Sequence, residues 1–263
     1  MQMQKLVCFF FFLLLISSVT GQQVNVFMDE TENKSFFGIH GGISFPAGLY
    51  ASKDPYNSGF ALPGPGVSVE SAWFFSKWIG IGGRTDYNRH FANAGAMEVA
   101  YLNLLESGST LDISFSGTYT IATAMMGVFS NMPLNRWMQL TGKALFGPFY
   151  VATPQYTLIY HRSFLFYGQT LEENWQEIHS SGNHWEFSYL VGVGVRFKPS
   201  NTWSFNLCFD YSESYQEIPY ESYSEGVMYD ELGVPFNGSG KESTSMNRNF
   251  RYMLFQGGFS LFF

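Results

Sequence analysis

The chain has 263 residues, 13% of them charged and 19% aromatic, with 28 Phe, 16 Tyr and a formal net charge of −7. The negative balance disfavours nucleic acid, which demands a basic face. The two cysteines, Cys8 and Cys208, have no zinc-ligand spacing. A mean hydropathy near zero argues against a bundle of membrane helices, but it suits strands whose lipid-facing and inward positions alternate.

Lys5, the apolar run Leu6–Ile16 and the small residues Ser17–Gly21 have the order of a cleaved signal peptide, predicted over residues 1–21. The run is short for a membrane span, and no later segment offers about 20 apolar residues. Removal of the leader would leave Cys208 as the one cysteine, without an internal disulfide. Residues 22–35 read as a periplasmic lead-in and residues 36–263 as one barrel domain.

From Phe36 onward the pattern has period two, broken by turn signals, and predicts eight strands. The first sets Phe37, Ile39, Ile43 and Phe45 against His40 and Ser44. The second sets Val67, Val69, Ser71 and Trp73 against Ser68 and Glu70. The third sets Ile79, Ile81, Thr85 and Tyr87 against Arg84, Asp86 and Asn88. The fourth is read as one strand, with Ile113, Phe115, Tyr119, Ile121 and Phe129 on its apolar face. The fifth sets Leu140, Ala144 and Phe146 against Gln139, Thr141 and Lys143, with Pro148 and Pro154 expected to interrupt it. The sixth alternates from Trp185 to Phe197, with Glu186 and Arg196 on the opposite face. The seventh sets Trp203, Phe205, Leu207, Phe209 and Tyr211 against Ser204, Asn206 and Asp210. The eighth carries Phe255, Phe259, Leu261 and Phe263.

Connections alternate in length. Short turns fall at Phe75–Lys77, Asn131–Asn135 and Lys198–Asn201, and long loops at about 47–63, 91–112, 152–183 and 212–249. A soluble sandwich has no reason to segregate loop length to one end, whereas an outer-membrane barrel does. Trp73, Trp78, Trp137 and Trp203 lie beside the short turns, as a membrane-interface girdle requires. Eight strands enclose too little space for the bulky faces, so these are expected to point outward into lipid. The fold class is therefore all-β: an antiparallel up-and-down transmembrane barrel. Eight strands are expected, or ten if the last loop makes its own hairpin at Asn237-Gly238.

The chain ends Gln256-Gly257-Gly258-Phe259-Ser260-Leu261-Phe262-Phe263. Gln256, Gly258, Leu261 and the terminal aromatic Phe263 resemble the C-terminal assembly signal of outer-membrane barrels. With the leader and the alternation, the sequence resembles the small OmpA/OmpX-like barrel or porin family over about Phe36–Phe263. That resemblance implies an outer-membrane location and recognition by the barrel assembly machinery.

The expected lumen-facing charges are Glu70, Arg84, Asp86, Lys143, Glu186, Arg196 and Asp210, with His40 beside them. Mixed signs in a narrow barrel suggest pairing that plugs the lumen, since a buried unpaired charge is very costly; a gate or selectivity ring is the other reading. His161-Arg162-Ser163 resembles the His-x-Ser spacing of outer-membrane lipid A deacylases, since alternate strand residues share a face. Asn does not follow the serine, and no orienting carboxylate is evident. His90, His179 and His184 are read as loop-proximal, without ligand spacing. The last loop is acidic and tyrosine-rich, including Glu213, Tyr215, Glu217, Tyr220, Glu221, Tyr223, Glu225, Tyr229, Asp230 and Glu231, and suits surface contact. The expected function is a non-enzymatic outer-membrane barrel with a structural, adhesive or ligand-contact role. A narrow porin and a lipid-modifying enzyme are the alternatives. Outer-membrane lipid and an unidentified external ligand are the expected partners; no nucleic acid, cofactor or metal is expected.

Overall fold

The computed structural model describes residues 35–54, 59–105, 108–229 and 234–263; the expected leader and nearly all of the lead-in lie outside them. The described chain forms β1 (Ser35–Ala47), a 3-10 turn (Gly48–Tyr50), β2 (Ala61–Leu62), β3 (Gly64–Phe74), β4 (Ile79–Ala92), α1 (Ala94–Leu102), β5 (Ser109–Ser116) and β6 (Tyr119–Pro133). There follow β7 (Met138–Ala152), β8 (Gln155–Phe166), β9 (Gln169–His179), β10 (Asn183–Phe197), β11 (Trp203–Tyr229) and β12 (Pro235–Phe262).

Eight of these strands close a ring in the order β1-β3-β4-β6-β7-β10-β11-β12, every pairing antiparallel. Pairing of β1 with β12, from Phe36↔Phe262 to Ala47↔Arg251, seals the seam between the ends of the chain. Closure removes the sheet edges that would otherwise expose unpaired backbone groups.

Polar side chains set the short turns. The Ile79 amide donates to Ser76 Oγ at 3.0 Å. Those of Trp137 and Met138 donate to Asn135 Oδ1 at 2.8 and 2.9 Å. The Thr202 amide donates to Ser200 Oγ at 3.2 Å. Such local acceptors compete with water for turn amides and so hold register.

Two of the four long connections, 152–183 and 212–249, are mainly strand among the described residues. β11 and β12 stay paired beyond the barrel, from Glu213↔Arg251 to Tyr229↔Pro235. β9 pairs with the upper part of β11, β8 with β9 and β5 with β8, giving a five-stranded external sheet in the order β12-β11-β9-β8-β5. α1, capped by Asn93 Oδ1 accepting from the Ala96 amide at 3.0 Å, packs on this sheet. Met97 meets Phe60, Leu111, Ile113 and Leu158 in an apolar cluster there.

Several sequence expectations are corrected. The fourth strand is two strands, broken at Gly117, whose φ of +94° suits glycine. Its first half belongs to the external sheet. In β6, Tyr119, Ile121 and Phe129 are buried in the lumen, whereas Met126 and Val128 are exposed on the outside. β7 runs through Pro148, which sits on the exposed face. Asn237 and Gly238 are strand residues opposite Val227 and Gly226, not a turn. The last loop does form a hairpin, but as an extension of two barrel strands, so the barrel has eight.

Candidate functional site

The barrel is inverted relative to a soluble protein. Along β10, Trp185, Phe187, Tyr189, Val191 and Val193 are exposed, while Ser188, Leu190, Gly194 and Arg196 are buried. Trp73, Trp78, Trp137 and Trp203 are 42–50% exposed beside the short turns. Near the opposite end, Tyr87 and Trp185 are exposed, and Trp185 packs beside Tyr150 at 4.9 Å. Among the described residues no helix is long and apolar enough to cross a membrane.

The lumen is filled in three layers. At the short-turn end Phe36 meets Phe74, Phe129 and Phe262 at 6.0–6.3 Å between ring centroids. The Arg196 guanidinium lies over Phe36 at 4.3 Å and over Phe262 at 5.3 Å.

Above this layer lies a charged cluster centred on Arg84. Its nitrogens reach Asp86 at 2.6 Å, Asp210 at 2.9 Å and Glu70 at 3.3 Å. Lys143 Nζ bridges Glu70 at 2.9 Å and Asp210 at 3.2 Å. Arg84 also donates to Gln256 Oε1 at 2.7 Å, an oxygen that accepts from Ser68 at 3.0 Å. Thr123 donates to the second oxygen of Asp86 at 3.0 Å. Asn206 donates to Ser260 Oγ at 2.6 Å, lies 3.2 Å from His40 Nε2, and accepts from Arg196 Nε at 3.0 Å. Glu70, Asp86 and Asp210 thus face Arg84, Lys143 and Arg196, and the six charges cancel. Pairing at these distances offsets the large cost of removing the charges from water.

Glycines make the room. A Cβ on Gly192 would collide with the Asp210 carboxylate and meet Lys143 Cε at 2.8 Å. A Cβ on Gly258 would collide with the His40 ring.

The external mouth is closed by a third layer. Tyr50, Tyr119, Ile121, Phe149, Phe250 and Tyr252 are buried together. Tyr50 Oη lies 2.9 Å from His90 Nδ1, and His90 Nε2 lies 2.7 Å from Ser44 Oγ. Below it, the space among Glu70, Lys143, Arg196 and Cys208 is a cavity of about 10 Å³, about the room of one water.

Six of the seven lumen charges expected from sequence therefore lie inside the barrel, five of them in one network and Arg196 joined through Asn206. Glu186 does not: it is exposed at the external end, 3.9 Å from His184. Gln256 and Gly258, read from sequence as an assembly signal, also line the lumen; Leu261 and Phe263 are exposed on the outside. The sequence reading set Asn206 on the inward face with Asp210 but missed Gln256 and Ser260 as lumen residues, although they share the inward parity of Gly258, which pairs with His40.

His161 and Ser163 lie on the exposed face of β8 in the external sheet, where the His161 ring bonds the Asn174 side chain. His179 stacks on Tyr156 at 4.2 Å and lies 2.9 Å from Glu177. Among the described residues no three His, Cys, Asp or Glu side chains cluster to hold a metal ion. Where the external hairpin leaves the barrel, Glu213 accepts from Tyr189 and Tyr211 at 2.6 Å each, from Asn249 at 2.8 Å and from Arg251 at 2.5 Å.

These features define an eight-stranded antiparallel barrel with an apolar exterior, a filled lumen and an external sheet. No protein-family model and no curated protein matches the sequence. Among solved structures the chain is similar to Ail, the attachment invasion locus protein of Yersinia pestis. The identity is 14% over 88% of this chain and 99% of that one, with a TM-score of 0.36. It is also similar to the outer membrane protein OprG from Pseudomonas aeruginosa, at 11% identity over 87% and 97% of the two chains, TM-score 0.38. A major outer membrane protein from Thermus thermophilus matches at 12% identity over 87% and 99%, TM-score 0.38.

Proposed function

We propose that this chain is an outer-membrane barrel of OmpA/OmpX-like build, closed to solutes, that works by surface contact through its external sheet. The observation that carries this reading is the filled lumen: a charge-balanced network held between two aromatic layers. A conducting pore needs a continuous wet path, and here the space beside the network is about 10 Å³.

The membrane placement rests on the exterior. The outward row of β10 from Trp185 to Phe197 would cover roughly 28 Å of membrane depth at a 45° tilt, close to the apolar band of a transmembrane barrel. Aromatic rings stand at both ends of that row. The short turns belong at the periplasmic rim and the five-stranded sheet outside the cell. The signal-peptide pattern at the start of the sequence fits export.

Labelling intact cells with a membrane-impermeant maleimide tests this placement. Tyr223→Cys, on the exposed face of the external sheet, is expected to react. Lys77→Cys, in a short turn, is expected to react only after the cells are broken. Cys208 is buried and stays silent. The reverse pattern would overturn the proposal.

A further inference from the structure

The external sheet ends at β5, which pairs with β8 alone among the described strands. Among the described residues no other backbone bond reaches 109–116. Alternate residues of a strand aim their N–H and C=O groups to either side, so β5 presents an unpaired row along its outer edge. Such edges are ordinarily blunted by Pro, Lys or a bulge. Here the strand reads Ser-Thr-Leu-Asp-Ile-Ser-Phe-Ser, and its ladder to β8 runs without a bulge from Ser109↔Arg162 to Ser116↔Gln155. Gly108 and Gly117, with φ +92° and +94°, set it off from the chain on both sides.

The order of side chains says what this edge can take. Leu111, Ile113 and Phe115 lie on the face that α1 covers, while Thr110, Asp112, Ser114 and Ser116 are exposed on the other. Directly opposed residues of an antiparallel pair share a face. A second β5 can therefore lie against this one only in registers that match like faces, and two of these pair nearly the whole strand. The register centred on Asp112 sets two carboxylates directly opposite, which is destabilising. The register centred on Ile113 sets Leu111 against the partner's Phe115 and Ile113 against the partner's Ile113. On the exposed face it sets Asp112 against the partner's Ser114, whose hydroxyl can donate to the carboxylate. The strand is thus complementary to a copy of itself, and Asp112 selects the register.

We propose that β5 is the contact edge of a homodimer: it pairs antiparallel with the β5 of a second copy, in the register centred on Ile113, and joins the two external sheets into one. Ladder hydrogen bonds supply the affinity, and the matched faces supply the choice of partner. The contact is isologous, with the same patch on both copies. Its two-fold axis stands perpendicular to the joined sheet, so both α1 helices fall on one face. There Val99 is 61% exposed and Leu104, just after the helix, 49%, and they offer further apolar surface to the joined layer. The inference names a partner for the surface-contact reading and rests on that reading for its setting in the cell.

The test is sedimentation of the full chain in detergent micelles. It is made away from cells, so its failure is told apart from a failure of the labelling experiment. The native chain is expected to sediment as a dimer at high protein concentration. Ser114→Asp changes an exposed residue and should fold, as heat-dependent gel mobility checks. It sets a carboxylate against the partner's Asp112, twice in each dimer, and should weaken association roughly tenfold or more. Adding Asp112→Lys to Ser114→Asp makes both pairs opposite in charge and should restore the dimer. Oxidation checks the register: Asp112→Cys mixed with Ser114→Cys should cross-link, and either variant alone much less, because only in the mixture do two cysteines stand directly opposite. A native chain that stays monomeric would overturn the proposal and leave the edge to an extended segment of another protein. An equally dimeric Ser114→Asp variant, a charge-swapped variant that stays monomeric, or equal cross-linking of either cysteine variant alone would each overturn it as well.

Discussion

Arg84 has the densest set of partners among the lumen residues: three carboxylates and the Gln256 amide oxygen surround one guanidinium. Its planar fork serves several acceptors at once, which a lysine cannot do. Arg84→Met would leave Glu70, Asp86 and Asp210 with too few cations. Stripping one partner from a buried cluster costs about 3–5 kcal/mol, and a lower urea midpoint of the folded barrel in micelles is the expected result. Space is as tightly assigned as charge. Gly192→Val would push a side chain into Asp210 and Lys143, and loss of the heat-modifiable folded band is expected. Gly41→Ala points into open space outside and should leave that band intact. The lumen charges were legible in the sequence because each shares parity with small or polar neighbours. Gln256 was not, because its membership of a C-terminal signature supplied a different reason for a polar residue there. Its carbonyl meets Arg84 across 172 residues of sequence, a distance that local pattern cannot span.

Strand faces are decided by neighbours as much as by alternation. β10 shows a near-unbroken apolar row, and its orientation could be read directly. β6 has apolar residues on both faces, so its own pattern gives no direction. The register settles it: Thr123 lies opposite Asp86 and Met125 opposite Arg84, and directly paired residues share a face. Tyr119, Ile121 and Phe129 are thereby turned inward. The external sheet was illegible for a related reason. β9 finds β11 across more than 40 residues, as in Ser222↔His179, and short polar strands of this kind have no strong periodic signature. The outward face of β10 gives a direct check. Val193→Arg puts a charge into the apolar belt and should cost about 2–4 kcal/mol if it sits near mid-membrane, read as a lower unfolding midpoint in lipid vesicles. Tyr223→Arg, on the exposed sheet, should change that midpoint by no more than about 0.5 kcal/mol.

For the whole molecule, the division of labour follows from the number of strands. An eight-stranded ring encloses only enough space for its own inward side chains. This chain fills that space with a neutral ionic core and closes it with rings at either end. What remains for interaction is the surface beyond the barrel, and there the connections 152–183 and 212–249 have become mainly sheet. Ordering these segments costs conformational entropy, which the β11–β12 ladder and the α1 cluster offset. The Glu213 clamp fixes the sheet where it leaves the barrel. The measurement that tests the closed lumen most directly is single-channel conductance in a planar bilayer, made on protein whose folding is verified by heat-dependent gel mobility. A silent bilayer with well-folded protein is the expected result, with Arg84→Met as a variant in which intermittent steps should appear. Steady, reproducible steps from the native chain would contradict the closed lumen and make the barrel a pore.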